Sequence, residues 1–515
     1  MENNKNFYIT TPIYYVNDKP HIGHAYTSLA CDVLARFKRL DGYDVFFLTG
    51  TDEHGQKVEK AAKEKGLSPK DFTDEVSMRF RELTKLMNFS NDDFIRTTEK
   101  RHYKAAQALW ETLIEKGDIY LGAYEGWYAV RDEAFYTEGD TEVRDGIRYA
   151  KESGAEVEWL KEESYFFKLS EYQDRLLEYY NAHPDFIMPK TRRNEVTSFV
   201  GSGLRDLSVS RASFSWGIPV PGDPKHVMYV WLDALTNYLT AVGYPDTENP
   251  KYQAFWPANL HMVGKDIIRF HAVYWPAFLM AADLPLPKRV FAHGWWTNEG
   301  QKISKSIGNV IDPFEIVHEY GLDQMRYFLL REVPFGNDGD FSRESVANRI
   351  NSELSNEFGN LAQRVFSMIY KNCDAHIPAY DTQTEEDKQL LNMVNNTLIE
   401  AREKIDVQAF HEMLEAIWKL IRAANQYIDF QAPWSLKKTD TERMNIVLGV
   451  LAEVIRNITL LLQPIMPQSA QKMLDYLSIS DDQRNFENIG TKGCLSAGLA
   501  MDKPEPLFPR YIKDE

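Results

Sequence analysis

The chain opens with extended and helical segments in strict alternation, and this pattern restricts the fold more than any other feature of the sequence. Residues 7–11 read as a strand, 24–40 as an amphipathic helix, 45–48 as a second buried strand, and 52–64 resume helical character. Strand, helix, strand, helix in that order predicts a parallel sheet of the doubly wound α/β, Rossmann-like type. Extended segments return at 228–232, 260–263 and 290–292. Between them, residues 120–214 change texture to short aromatic strands and acidic turns, as an insertion would. After about residue 345 strand patterns stop, and helical periodicities at 350–370, 384–405 and 444–462 predict an all-α bundle. The expected division is 1–119 and 215–295 for two halves of a catalytic domain, 120–214 for a connective insertion, 296–345 for a loop and stem-contact region, and 346–515 for the helical domain.

The chain has 515 residues, too many for one ordinary core. Its 59 basic and 76 acidic side chains give a formal charge of −17, which argues against a protein that coats nucleic acid non-specifically. A local basic groove on an acidic body is still compatible with that charge. Three scattered cysteines, Cys31, Cys373 and Cys494, form neither a disulfide framework nor a CxxC pair, as expected in a reducing cytoplasm. The N-terminus carries no signal-peptide apolar region. Residues 446–466 are the most apolar long stretch, but Glu453, Arg456 and Asn457 interrupt it, so a buried helix is expected and no membrane span.

Two motifs carry chemistry. His21-Ile22-Gly23-His24 lies where the first strand passes into the first helix. A helix N-terminus offers unpaired backbone N–H groups to an anion, and two imidazoles three residues apart share one face of that turn. Gly23 has no Cβ and would admit a flat adenine ring. Alone, an HxGH is as readily two surface histidines beside a turn. Lys302-Ile303-Ser304-Lys305-Ser306, between Gly300 and Gly308, puts two lysines in a glycine-bounded loop able to meet charge on a departing pyrophosphate. No G-x-G-x-x-G fingerprint occurs, and Gly264-Lys265 is followed by Asp266 rather than the Ser or Thr of a phosphate-binding loop.

Together the two motifs resemble the class I aminoacyl-tRNA synthetases. The surrounding blocks narrow the resemblance. Residues 11–17 (TPIYYVN), 49–55 (TGTDEHG), 230–234 (VWLDA), 261–271 (HMVGKDIIRFH) and 293–295 (HGW) are similar to methionyl-tRNA synthetases across essentially the whole chain. The resemblance implies that Asp52 receives the substrate ammonium, while Ile13, Tyr15, Trp231, Ala234, Tyr238, Ile267 and His271 line a thioether pocket. An anionic Asp suits an ammonium, and aromatic walls suit a polarisable sulfur, with the Tyr238 hydroxyl as a polar handle. Gly264 and Asp266 would hold the ATP ribose, with Gly294 and the Ile303 backbone beside the adenine. Leu235 departs from the proline that many members carry there. Asn360, Arg364 and Trp434 match anticodon-reading positions, implying contacts with the CAU anticodon by stacking and edge hydrogen bonds. Cysteine is missing from 128–167, where many members bind zinc, so no zinc is expected. The chain stops soon after the bundle, so a monomer is expected.

The implied reaction transfers the adenylyl group of ATP, carried with Mg²⁺, to the methionine carboxylate with release of pyrophosphate, and then passes methionine to elongator and initiator tRNA(Met). The carboxylate nucleophile is already ionised, so His21, His24, Lys302 and Lys305 would act by positioning and charge stabilisation. Competing readings are a synthetase for another aliphatic amino acid, a small nucleotidyltransferase, and a non-catalytic tRNA-binding module. An insertion of about a hundred residues is too small for an editing domain, the helical bundle is superfluous for a nucleotidyltransferase, and intact His21, His24, Lys302 and Lys305 oppose the third.

Overall fold

The computed structural model of the protein describes residues 5–16, 19–132, 134–303, 307–490 and 494–512. Among them a seven-stranded sheet runs in the order Ile187–Met188, Val290–His293, Leu260–Gly264, Asn6–Thr10, Asp44–Asp52, with Tyr14–Tyr15 and Asp93–Arg96 both pairing with Asp44–Asp52. Every pairing in it is parallel. Asp44–Asp52 is buried from Val45 onward, so its apolar run fits a strand covered on both faces. From Asn6–Thr10 the chain first moves to one side, to Asp44–Asp52, and much later returns on the other, to Leu260–Gly264. The strand order therefore reverses at the first strand, and such a reversal opens a crevice outside the carboxyl ends of the strands.

Two segments differ from the sequence expectation. Residues 228–232 do not continue as a strand: Asp223–Met228 is antiparallel to Ser210–Arg211, and Val230–Leu235 is a helix. A short apolar run has no period long enough to separate a strand from a buried helical turn. Likewise residues 52–55 close the strand and form a loop before the helix Gln56–Glu64. Within 120–214, Ile119–Ala129 and Glu158–Phe167 pair antiparallel along nearly their whole length, flanked by Ala134–Tyr136 and Leu207–Ser208. Ile187–Met188 lies in the same stretch yet forms the outermost strand of the parallel sheet, beside Val290–His293.

The C-terminal part is helical. Arg343–Arg349, Ile350–Gly359 and Asn360–Asn372 follow one another as a single rod whose middle ten residues are π-helical. Glu385–Asp406, Phe410–Gln431, Thr441–Leu462 and Pro467–Tyr476 pack beside it. Thr441–Leu462 is long and apolar enough to cross a membrane, but 89% of its apolar window is buried inside the protein. Its polar residues staple the C-terminal tail: Arg456 pairs with Glu453 at 2.6 Å and donates to the Asn488 carbonyl, while Glu453 accepts from the Leu495 N–H.

One apolar core spans both parts, from Ile9 and Leu34 beneath the sheet through Phe328 and Leu329 to Trp418 and Leu451. A buried ion pair crosses the same boundary. Asp32, on the first helix, meets Arg326 at 2.7 Å, and Arg326 also donates to the carbonyls of Met87, Pro464 and Ile465. Charges buried this deeply are tolerated when paired and hydrogen-bonded, and each of the three guanidinium nitrogens of Arg326 has a partner.

Candidate active site

The first helix, Ile22–Leu40, starts at the crevice, and its cap is built from the two histidines of the HIGH motif. His21 Nδ1 accepts from the Gly23 N–H at 3.1 Å, and His24 Nδ1 accepts from the His21 N–H at 3.1 Å, forming a reciprocal capping box. The Ile22 N–H donates to Ile311 O, and those of His24 and Ala25 turn back to His21 O. The backbone donors expected to cradle a phosphate are thus already engaged. What the motif presents instead are imidazole edges. With Nδ1 accepting in both rings, each neutral ring carries its proton on Nε2, and the rings lie 3.9 Å apart between centroids. Gly23 serves the cap as well: a Cβ there would sit 3.0 Å from His21 Cε1. Tyr14 braces His24 from behind, with its ring 4.8 Å away and its hydroxyl on His24 O and Ser28 Oγ.

These residues open onto a cleft of about 1220 Å³ that brings most of the expected site together. Ile13, Tyr15, His21, Gly23, His24, Asp52, Trp231, Ala234, Tyr238, Gly264, Asp266, Ile267 and His271 all line it, as does Leu235. Asp52 sits at the carboxyl end of its strand in register with Tyr15, and both belong to one wall. Also lining the cleft, Trp231 stacks on Phe270 with centroids 3.5 Å apart and planes 11° off parallel. Tyr238 is buried, and its hydroxyl lies 2.7 Å from His271 Nε2, while His271 Nδ1 is 3.0 Å from Ile267 O. The carbonyl can only accept, so His271 holds its proton on Nδ1 and Tyr238 donates to Nε2. The Tyr238 hydroxyl proton is therefore committed, and the hydroxyl meets a ligand through its oxygen lone pairs. Burial pulls His271 down to about 4, so this pair is uncharged at neutral pH.

The nucleotide side is more dispersed. Trp295 holds Asp266, donating from Nε1 to Oδ1 at 3.2 Å, and its ring lies 4.2 Å from Lys265 Nζ and 5.8 Å from Lys302 Nζ. Lys302 is exposed at the rim, and Ile303 packs partly buried against the main core. Neither lines the cleft. Gly294 does not line it either: a Cβ there would fall 2.2 Å from Asn337 O, so its lack of a side chain answers to the 337–338 backbone. Lys305 lies outside the described residues.

Two family models divide the chain between them. One, described as class I tRNA synthetases (M), matches residues 7–366, and the other, the anticodon binding domain of methionyl tRNA ligase, matches 377–515. The chain belongs to the class I methionyl-tRNA synthetases. It is 57% identical to the methionine–tRNA ligase of Brucella suis biovar 1 (strain 1330) over 98% of each chain, and 56% identical to that of Rhizobium meliloti (strain 1021) over 100% of each. Mycobacterium tuberculosis methionyl-tRNA synthetase in complex with methionyl-adenylate superposes with a TM-score of 0.95 at 52% identity, covering 98% of this chain and 100% of that one.

In this synthetase fold the expected anticodon residues lie on the helical bundle. Trp434 is 44% exposed, and the Arg364 guanidinium sits 5.1 Å over its ring while pairing with Asp429 at 2.6 Å. Asn360 is exposed one turn before Arg364 on the same helix, and Phe430 is 79% exposed nearby in sequence. Trp434 is therefore no core residue of the bundle.

Residues outside the sequence reading also join the cleft. Phe270 is the stacking partner of Trp231. Arg211, almost fully buried, donates to Ser208 Oγ and Ser210 O at 2.7 Å each and lies 4.0 Å over the Tyr229 ring. Arg131, Asp132 and Phe135 bring the inserted sheet to the cleft mouth. A lone arginine between serines has no spacing signal, and one aromatic in an apolar helix reads as core.

Proposed function

We propose that the cleft binds methionine and ATP, forms methionyl-adenylate with release of pyrophosphate, and then esterifies methionine onto elongator and initiator tRNA(Met). The observation that carries this reading is the convergence of Asp52, the Trp231–Phe270 stack, the Tyr238–His271 pair and the two HIGH imidazoles in one cleft at the strand reversal. Asp52 takes the substrate ammonium, and Ile13, Tyr15, Trp231, Ala234, Tyr238, Ile267 and His271 surround the side chain. The uncharged Tyr238–His271 pair suits a thioether, because no ion must be desolvated against it. Gly264 and Asp266 hold the ribose. His21 and His24 donate from Nε2 to the phosphates, and Lys302 and Lys305 neutralise the departing pyrophosphate, which leaves with the Mg²⁺ that ATP carries. The methionine carboxylate attacks the α-phosphorus in line and expels pyrophosphate, needing no base, and the tRNA ribose hydroxyl then attacks the adenylate carbonyl, breaking the acyl–phosphate bond and releasing AMP.

On the bundle, Trp434, Arg364 and Asn360 read the CAU anticodon, Trp434 by stacking and the other two at base edges. We further propose a cytoplasmic monomer without zinc. The tip of the insertion is held by an apolar cluster of Ala129, Ala150, Ala155 and Val157, and by Asp132 accepting from Tyr136 and Ser153. Methionine-dependent exchange of labelled pyrophosphate into ATP, run with each amino acid in turn, tests the assignment. Exchange with methionine alone supports it, and exchange with another aliphatic amino acid in preference to methionine overturns it.

A further inference from the structure

A chain of five polar side chains passes behind the methionine pocket. Asp233 is fully buried and has both carboxylate oxygens engaged: Oδ2 with His54 Nδ1 at 2.6 Å, and Oδ1 with His102 Nε2 at 2.7 Å. The far nitrogens are met too, His54 Nε2 by the Tyr103 hydroxyl at 3.1 Å and His102 Nδ1 by Thr240 Oγ1 at 3.0 Å. His54 and His102 are 2% and 0% exposed, so none of the three central groups can touch a ligand in the cleft.

Their neighbours in sequence face that cleft directly. His54 follows Asp52 by two residues, and Asp233 lies between Trp231 and Ala234, all three of those flanking residues lining the cleft. One 2.6 Å bond thus ties the loop of the ammonium-binding carboxylate to the helix of the side-chain wall. His102 joins both to the helix Lys100–Glu115, whose Leu109, Trp110 and Leu113 are set in the core. The intervening Glu53 is held independently: its carboxylate accepts from Arg96 at 2.6 and 2.9 Å and from Thr98 at 2.5 Å, and its N–H donates to Thr97 Oγ1. Asp52 therefore ends its strand and is followed directly by two residues, Glu53 and His54, that are each fixed by their own partners.

We propose that His54, Asp233 and His102 are positioning residues that fix the span between Asp52 and the Trp231–Ala234 wall, and thereby gauge the length of the amino acid that the site accepts. The proposal rests on the reading of Asp52 and Trp231 given above. Burial works against a charged Asp233, but the attraction of His54 and the hydrogen bonds of His102 and His54 outweigh it and hold the carboxyl near 2. Asp233 is thus an anion throughout the physiological range and holds both rings by charge-assisted bonds. A buried ion of this kind is often no more stabilising than an apolar filling of the same volume. Its use is in geometry, because two charge-assisted bonds permit little drift.

The test is pyrophosphate exchange with methionine and with ethionine, which is one methylene longer, in wild type, Asp233→Asn, Tyr103→Phe and Asp52→Asn, each with a thermal melt. One methylene in a fitted pocket is worth about 10- to 200-fold in specificity. Asp233→Asn should raise the methionine KM about tenfold and cut the methionine-to-ethionine ratio of kcat/KM about tenfold, with the ATP KM unchanged. Tyr103→Phe removes one hydroxyl and should lower the same ratio about threefold, so it decides the question if Asp233→Asn does not fold. A lower Tm with an unchanged methionine KM and an unchanged ratio would make the network purely structural and overturn the proposal. Asp52→Asn should raise the methionine KM while keeping the ratio. If it leaves the KM unchanged, the Asp52 reading itself fails, whereas a response in Asp52→Asn but none in the clasp variants defeats the clasp alone.

Discussion

If Trp434 stacks on an anticodon base as proposed, replacing it by alanine should separate recognition of tRNA from activation of methionine. With 44% of its surface in solvent, Trp434 contributes little to the core of the bundle. The interaction it loses within the protein is the Arg364 guanidinium 5.1 Å over its ring, worth about 0.5–1 kcal/mol at an exposed site. A loss of that size lowers Tm by only about 1–4 °C in a domain of this size. Removing one base-stacking aromatic costs about 1–3 kcal/mol of nucleic-acid affinity, so charging efficiency should fall about 5- to 150-fold. Methionine-dependent pyrophosphate exchange should stay at the wild-type rate, because nothing that lines the cleft is touched. The assay is aminoacylation of tRNA(Met) alongside exchange and a thermal melt, with anticodon-mutant tRNAs as a second substrate set. A Tm lower by 10 °C or more with exchange lost in parallel would refute the reasoning.

Two further outcomes follow from the geometry. Gly294→Ala should destabilise by about 1–3 kcal/mol, read as a lower Tm, because its Cβ would meet the Asn337 carbonyl at 2.2 Å and neither backbone can yield; an unchanged Tm contradicts the close approach. Stability should also fall on acidification from about pH 6.5 toward 4. His271, held down to about 4 by burial, takes up its proton in the unfolded chain first, so its contribution is complete above about pH 6.5 and lost below, on the order of 3 kcal/mol. His271→Asn should flatten that part of the pH–stability profile, and an identical profile in the variant would contradict it.

How much could be read from sequence depended on the length of each periodic signal. The helix Thr441–Leu462 was legible, because its apolar pattern repeats over enough residues to exclude a strand, and the run at 45–48 was placed by the helices expected on either side of it. Val230–Leu235 was not, since six mostly apolar residues fit a strand or a helix equally well, and its position was settled by tertiary packing. Ile187–Met188 is two residues long and can carry no period at all. The HIGH spacing pointed to the right helix end but not to the caps, because whether an imidazole accepts from the backbone or offers a donor depends on rotamers. The His54–Asp233–His102 chain joins residues 131 and 179 positions apart, and no local pattern encodes such a meeting.

The most direct test of the account is single-turnover formation of methionyl-adenylate by wild type, His24→Ala and Lys305→Ala, with methionine binding measured separately. If these groups stabilise charge that develops only as pyrophosphate departs, each variant should form adenylate about 10²–10³ times more slowly while its methionine Kd stays within about twofold. An undiminished single-turnover rate, or a slow one explained by a tenfold weaker methionine Kd, would contradict it.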